Sequence, residues 1–172
     1  GLDWLPNQEG LLWFVENCWP AIHKEVPYAQ FHIAGRNAPK EFLAKIVSDG
    51  VHYDGEVENA EKYMRDYGIL VVPLLSGSGM RIKIVEGLAA GKVVVSTAIG
   101  MEGIDAVDGE EIFIANTPEK MAEMCTTLLK NPAAANSVSI AAYNFAINNF
   151  NLNTISQNLL TFYNKITPIP DC

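Results

Sequence analysis

The chain has 172 residues, 49% of them apolar, and a formal charge of −8. That length suits one domain with a real core, and the acidic balance excludes a general nucleic-acid or anionic-membrane surface, which needs an excess of Lys and Arg. No apolar run approaches the roughly 20 residues that span a bilayer, and Asp3, Asn7, Gln8 and Glu9 interrupt the start before a signal-peptide core forms.

In chain order, Asn7 reads as the cap of a helix from Glu9 to Val26, with Leu11, Phe14, Val15, Cys18 and Ile22 at helical spacing and Pro27 as its stop. Phe31 to Ala34 reads as a buried strand that ends in Gly35-Arg36-Asn37, and Pro39 opens the next helix. A second strand covers Val51 to Tyr53, and after the Gly55-Glu56-Val57 turn Asn59 caps a short helix through Tyr67. Ile69 to Leu75, apolar on both faces, predicts a central strand. A glycine loop then leads to a helix from Arg81 that closes at Gly91, and Val93 to Val95 form the following strand. An acidic loop with Asp105, Asp108, Glu110 and Glu111 reads as a solvated turn ahead of a strand at Ile112 to Ile114. Three helices follow, Thr117 to Leu129, Ala133 to Phe150 and Thr154 to Ile166. Strands alternating with helices predict an α/β class: a Rossmann-like, three-layer parallel sheet with helices on both faces, in a single domain over residues 1–172.

Cys18, Cys125 and Cys172 stand too far apart for paired zinc ligands or a dense disulfide framework and read as reduced thiols. His23, His32 and His52 read as structural, and Trp4, Trp13 and Trp19 as core packing rather than a sugar-stacking platform.

Ligands of open α/β sheets sit beyond the carboxyl ends of the strands, and the segment Gly77-Ser78-Gly79-Met80 occupies such a place. Small residues let a backbone approach a phosphate, and the following helix start offers free N–H groups and partial positive charge. Arg81 and Lys83 complete a diphosphate site, and Glu86 is placed to accept from a ribose diol. The same residues also fit a plain turn with an exposed Lys83 and Glu86 pair. Two other phosphate motifs fit poorly: Gly77-x-Gly79-x-x-Ile82 lacks the third glycine of a dinucleotide fingerprint, and Lys92 of the Walker-like run Gly87 to Val93 leads into a strand.

The run from Val71 to Gly103, with Trp4-Leu5-Pro6-Asn7, Phe31-His32-Ile33-Ala34-Gly35-Arg36 and Gly55-Glu56-Val57, resembles the C-terminal domain of GT-B glycosyltransferases of the family 4 type. The resemblance implies that Glu86 binds the donor ribose, that Gly77, Ser78, Gly79 and Met80 lie against the diphosphate and sugar, and that Gly35, Arg36 and Val57 belong to the nucleotide side of the site. The common family pattern has a further glutamate where this chain has Ser78, and an Arg and a Lys near the start that Asp3 to Gly10 lacks; Arg81 and Lys83 are expected to replace that pair. The family's opening strand is expected to be missing ahead of Trp4, and the chain to be excised from a larger two-domain enzyme.

What the resemblance implies is a hexosyltransferase-type reaction: a sugar passes from a nucleotide-diphosphate sugar to an acceptor hydroxyl with retention, once an N-terminal acceptor-binding domain is present. The isolated domain is expected to be inactive. No cofactor and no metal are expected, and no catalytic side chain is assigned to this chain. The parent protein is expected in the cytoplasm, with peripheral association at the inner membrane face compatible with its donors. A GT-B sugar-nucleotide epimerase would share the nucleotide site and differ in the other domain, and a non-catalytic α/β binding module would show no nucleotide-dependent stabilisation.

Overall fold

The computed structural model describes residues 1–166. Cys172 lies outside the described residues. Two short helices open the chain, α1 (Leu5–Asn17) and α2 (Trp19–Glu25). The predicted single helix is broken at Cys18, because Pro20 in the first turn of α2 has no N–H to bond back and its ring collides with the carbonyl four residues earlier. Asn7 does not cap α1. Trp4 holds the N-cap position without a side-chain bond, and Asn7 lies within the first turn.

Strand β1 (Phe31–Ala34) leads through α3 (Lys40–Ile46) to β2 (Val51–Gly55), which pairs with it in parallel. Helix α4 (Ala60–Met64), capped by Asn59 as predicted, leads to β3 (Ile69–Val72), then α5 (Ile82–Ala89) and β4 (Val93–Ser96). β5 (Phe113–Ile114) completes the strands, and α6 (Pro118–Lys130), α7 (Pro132–Phe150) and α8 (Leu152–Ile166) follow. Gly91 stands just beyond α5 with φ of 65°, the left-handed ending its sequence position predicts. Asp108 and Glu111 do more than face solvent, since they accept from the N–H groups of Ile114 and Val107 and close the acidic turn.

All the ladders are parallel, and β4 shows why the chain is layered. Successive strand residues point to opposite faces. Val93 and Val95 accordingly join Phe14, Ile22 and Met121 in one core, while Val94 joins Ile84, Leu88 and Ala142 in the other. Helices α1, α2 and α6 cover the first face, and α5 and α7 the second. The free thiols of Cys18 and Cys125 lie buried in the first core, and burial pushes both up to about 12.

The strands form two sheets rather than one, with orders β1-β2 and β3-β4-β5. β3 is shorter than predicted because Pro73 has no ladder donor, and only Val72 of its four residues is fully buried. Between the facing edges of β1 and β3 lies a cavity of about 470 Å³, lined by apolar side chains that include Leu2, Leu11, Ile33, Ile69 and Val71. At one end of β1, the Leu2 N–H donates to the Arg36 carbonyl at 2.7 Å. Among the described residues no helix is long and apolar enough to cross a membrane.

Candidate functional site

The loop from β3 to α5 is built around two left-handed glycines, Gly77 at φ 107° and Gly79 at φ 85°, conformations that cost little only without a Cβ. A Cβ on Gly77 would meet Arg81 Nη2 at 2.7 Å and the Trp4 ring at 3.2 Å, so this glycine also makes room for the two side chains beneath it. Gly77, Ser78, Gly79 and Met80 are all exposed.

Arg81 is the N-cap of α5, and its guanidinium lies 5.4 Å from the centre of the Trp4 ring. Nη1 donates to the Ser78 carbonyl at 2.8 Å, which ties the side chain to the loop. Nε and Nη2 are buried and find no acceptor among the described residues. Buried donors of this kind are normally paired, and these two are shielded between the Gly77 backbone and the Trp4 ring. Trp4 therefore departs from the expectation of core packing: it is 42% exposed and forms a floor under Arg81. Trp19 does pack in the core.

Lys83 reaches across to α1, where Nζ donates to Asn7 Oδ1 at 2.8 Å. Burial, with the Arg81 charge second, pushes its ammonium down to about 8, although part of the side chain remains open to solvent. Its partner is thus Asn7 and not Glu86, so the alternative of a Lys83 and Glu86 ion pair is absent. Glu86 is exposed and takes no hydrogen bond or ion pair among the described residues. Gly35, Val57 and Lys83 all line the cavity between the sheets, with Leu2 pressed against Gly35. Arg36 is exposed, and what it contributes to this neighbourhood is its carbonyl, held by Leu2.

Three contributors escape sequence reasoning: Trp4, Asn7 and Glu102. Asn7 and Trp4 lie in the segment Trp4 to Asn7, but helical spacing alone assigns them to a cap and to the core. Glu102 comes from the loop after β4, and its Oε2 accepts from the Gly79 N–H at 2.9 Å. Its sequence separation from the glycine loop hides that contact. Glu9 similarly accepts from Ser76 Oγ at 3.2 Å. The histidines take part in local contacts elsewhere: His32 Nδ1 lies 2.8 Å from Asp54 Oδ2, which also accepts from Tyr63 at 2.5 Å, and His23 stacks on Trp19. Burial raises the Asp54 carboxyl, but the bonds from Tyr63 and His32 together hold it below its ordinary value.

The family model of the group 1 glycosyl transferases matches residues 2–131. The chain belongs to that family. It is 30% identical over 155 residues to an uncharacterized 44.6 kDa protein in the cps region of Klebsiella pneumoniae, a match covering 84% of this chain and 39% of that protein. Among solved structures, a mutant of S. aureus TarM in complex with fondaparinux, alpha-GlcNAc-glycerol and UDP superposes with a TM-score of 0.75 at 20% identity, over 92% of this chain and 33% of that one. Anabaena HepE in complex with UDP gives 0.70 at 14% identity, over 87% of this chain and 45% of that one. Sucrose-phosphate synthase from Thermosynechococcus elongatus gives 0.71 at 18%, over 92% and 42%. These likenesses establish the GT-B, Rossmann-like fold, and the chain spans less than half the length of each of these proteins.

Proposed function

We propose that this chain is the donor-binding half of a two-domain glycosyltransferase. It holds a nucleotide-diphosphate sugar, whose sugar passes to an acceptor hydroxyl with retention of anomeric configuration. The acceptor site and the catalytic side chains belong to an N-terminal domain of the parent protein, so the half alone binds donor without turnover. Hexosyl donors fit this reading, and cytoplasmic donors place the parent protein on the cytoplasmic side.

The observation that carries the reading is the pair of orphaned Arg81 donors beneath the glycine loop. A diphosphate satisfies them with a forked pair of charge-assisted bonds. As the glycosidic bond breaks, negative charge grows on the leaving diphosphate. In this reading Arg81, Lys83 and the backbone N–H groups at the start of α5 stabilise that charge. Glu86 then receives the ribose hydroxyls, with Gly35, Arg36 and Val57 on the nucleotide side and Ser78 and Met80 toward the sugar. The leaving-group task falls in this reading to side chains and backbone, with no metal or other cofactor assigned a part. That UDP occupies the structures of HepE and TarM supports a nucleotide ligand for this fold.

The double variant Arg81→Ala, Lys83→Ala tests the assignment by calorimetric titration with nucleoside diphosphates. Each charge-assisted bond is worth about 1.5–3 kcal/mol, so loss of both cations weakens binding by roughly a hundredfold or more. Diphosphate binding as tight as in the parent chain would overturn the assignment.

A further inference from the structure

We propose that Glu102 reads the hydroxyl groups of the transferred sugar, a role that rests on the donor-binding reading above. A sugar donor offers vicinal O–H groups, and the side chain that accepts from them best is a carboxylate. At the glycine loop the position expected to carry one holds Ser78 instead. Other carboxylates stand at this end of the fold. Glu86 lies on α5 and is assigned to the ribose. Glu9 comes from α1 and accepts from Ser76 Oγ, upstream of the glycines. Glu102 is bonded to the loop itself, at the Gly79 N–H, directly beside Ser78.

The geometry gives this carboxylate a fixed seat. Gly103 follows it with φ of 79°, and a Cβ there would stand 3.6 Å from Met80 Cβ, so the turn after β4 packs directly on the glycine loop. The two loops follow the adjacent, paired strands β3 and β4 and behave as one wall beyond their carboxyl ends. The bond to Gly79 uses one oxygen of Glu102. The other takes no hydrogen bond or ion pair among the described residues, and the residue is exposed. One oxygen thus holds the loop in place while its neighbour remains an open acceptor. A charged acceptor fixed against one hydroxyl position favours sugars that place a hydroxyl there over analogues that lack or invert it. A wall of this kind, with the charge supplied from the second loop instead of from position 78, places sugar selectivity on the β4 side of the site.

The test compares binding of a nucleoside diphosphate with binding of its sugar conjugate, using UDP, UDP-glucose and UDP-galactose together with the GDP and ADP counterparts, on the parent chain and on Glu102→Gln and Glu102→Ala. Gln keeps an acceptor for Gly79 and removes the charge. The expected result is diphosphate affinity within about twofold of the parent in Glu102→Gln, with affinity for the preferred sugar conjugate down about tenfold and discrimination between sugar epimers reduced. Equal loss for diphosphate and conjugate would show that Glu102 only holds the loop, and unchanged conjugate binding would show no sugar contact; either overturns the proposal while leaving the donor-binding reading intact. A parent chain that binds none of the nucleotides overturns both.

Discussion

Lys83 carries its charge under strain that a ligand can relieve. Its ammonium is lowered from 10.5 to about 8, first by burial and then by the Arg81 charge. The cation is therefore the form the folded chain disfavours, and between about 8 and 10.5 the unfolded chain binds the extra proton, so this residue's contribution to stability rises with pH over that window. A bound diphosphate reverses the preference by restoring an opposite charge. Nucleoside diphosphate affinity is accordingly expected to be full below the lowered pKa and to fall by about tenfold as pH rises from about 7 to about 9.5. In Lys83→Arg, whose guanidinium stays protonated, the fall disappears. Titration calorimetry across that range checks both statements, and a pH-independent affinity in the parent chain would remove Lys83 from the site. That Arg81, Lys83 and Glu86 stand at the start of the helix after the glycine loop was legible in the sequence, because both the loop and the helical spacing are local patterns. Trp4, Asn7 and Glu102 were not, because each meets the loop from a distant element, and such meetings are set by how the layers pack.

At the scale of elements, apolar runs and turn residues fixed where strands and helices lie, while their limits came from effects that periodicity does not contain. Pro20 breaks the first helix, and Pro73 ends β3 three residues before the apolar run does. Close approach also sets position: a Cβ on Gly10 of α1 would stand 2.3 Å from the Pro73 carbonyl oxygen, so that helix packs against backbone just beyond β3. The unpaired edges of β1 and β3 are where the sheet departs from expectation. Ladder bonds to β2 use Phe31 and Gly35, and those to β4 use the carbonyls of Gly68 and Val72. Alternation then turns His32, Ala34, Ile69 and Val71 toward the cavity. Hydrogen exchange is expected to be faster at those four amides than at Phe31 and Val93, whose N–H groups are bonded to the Gly50 and Gly68 carbonyls. Equal protection at all six would contradict an open edge.

Across the whole molecule, two cores share β4, and the loops that carry the proposed donor contacts leave the carboxyl ends of β3 and β4. The layered α/β class was legible because a strand such as Val93 to Val95, apolar at every position, has to be covered on both faces. The division into two sheets was not, because it depends on which edges find a partner and not on any local pattern. α8 likewise follows helical spacing yet buries none of its residues, leaving Leu159 and Phe162 exposed.

The central claim, that this fold holds a nucleotide-diphosphate sugar at the glycine loop, is tested most directly by thermal stability of the chain with UDP, GDP, ADP and CMP, their sugar conjugates, and NAD as a control. Ligand at about a hundred times its Kd adds roughly 2.7 kcal/mol, which for a chain of this size raises Tm by about 5–10 °C. The predicted result is a rise with one diphosphate and its sugar conjugate, none with CMP or NAD, and its loss in Glu86→Ala. No rise with any nucleotide, or a rise that survives in Glu86→Ala and in the Arg81→Ala, Lys83→Ala variant, would contradict it.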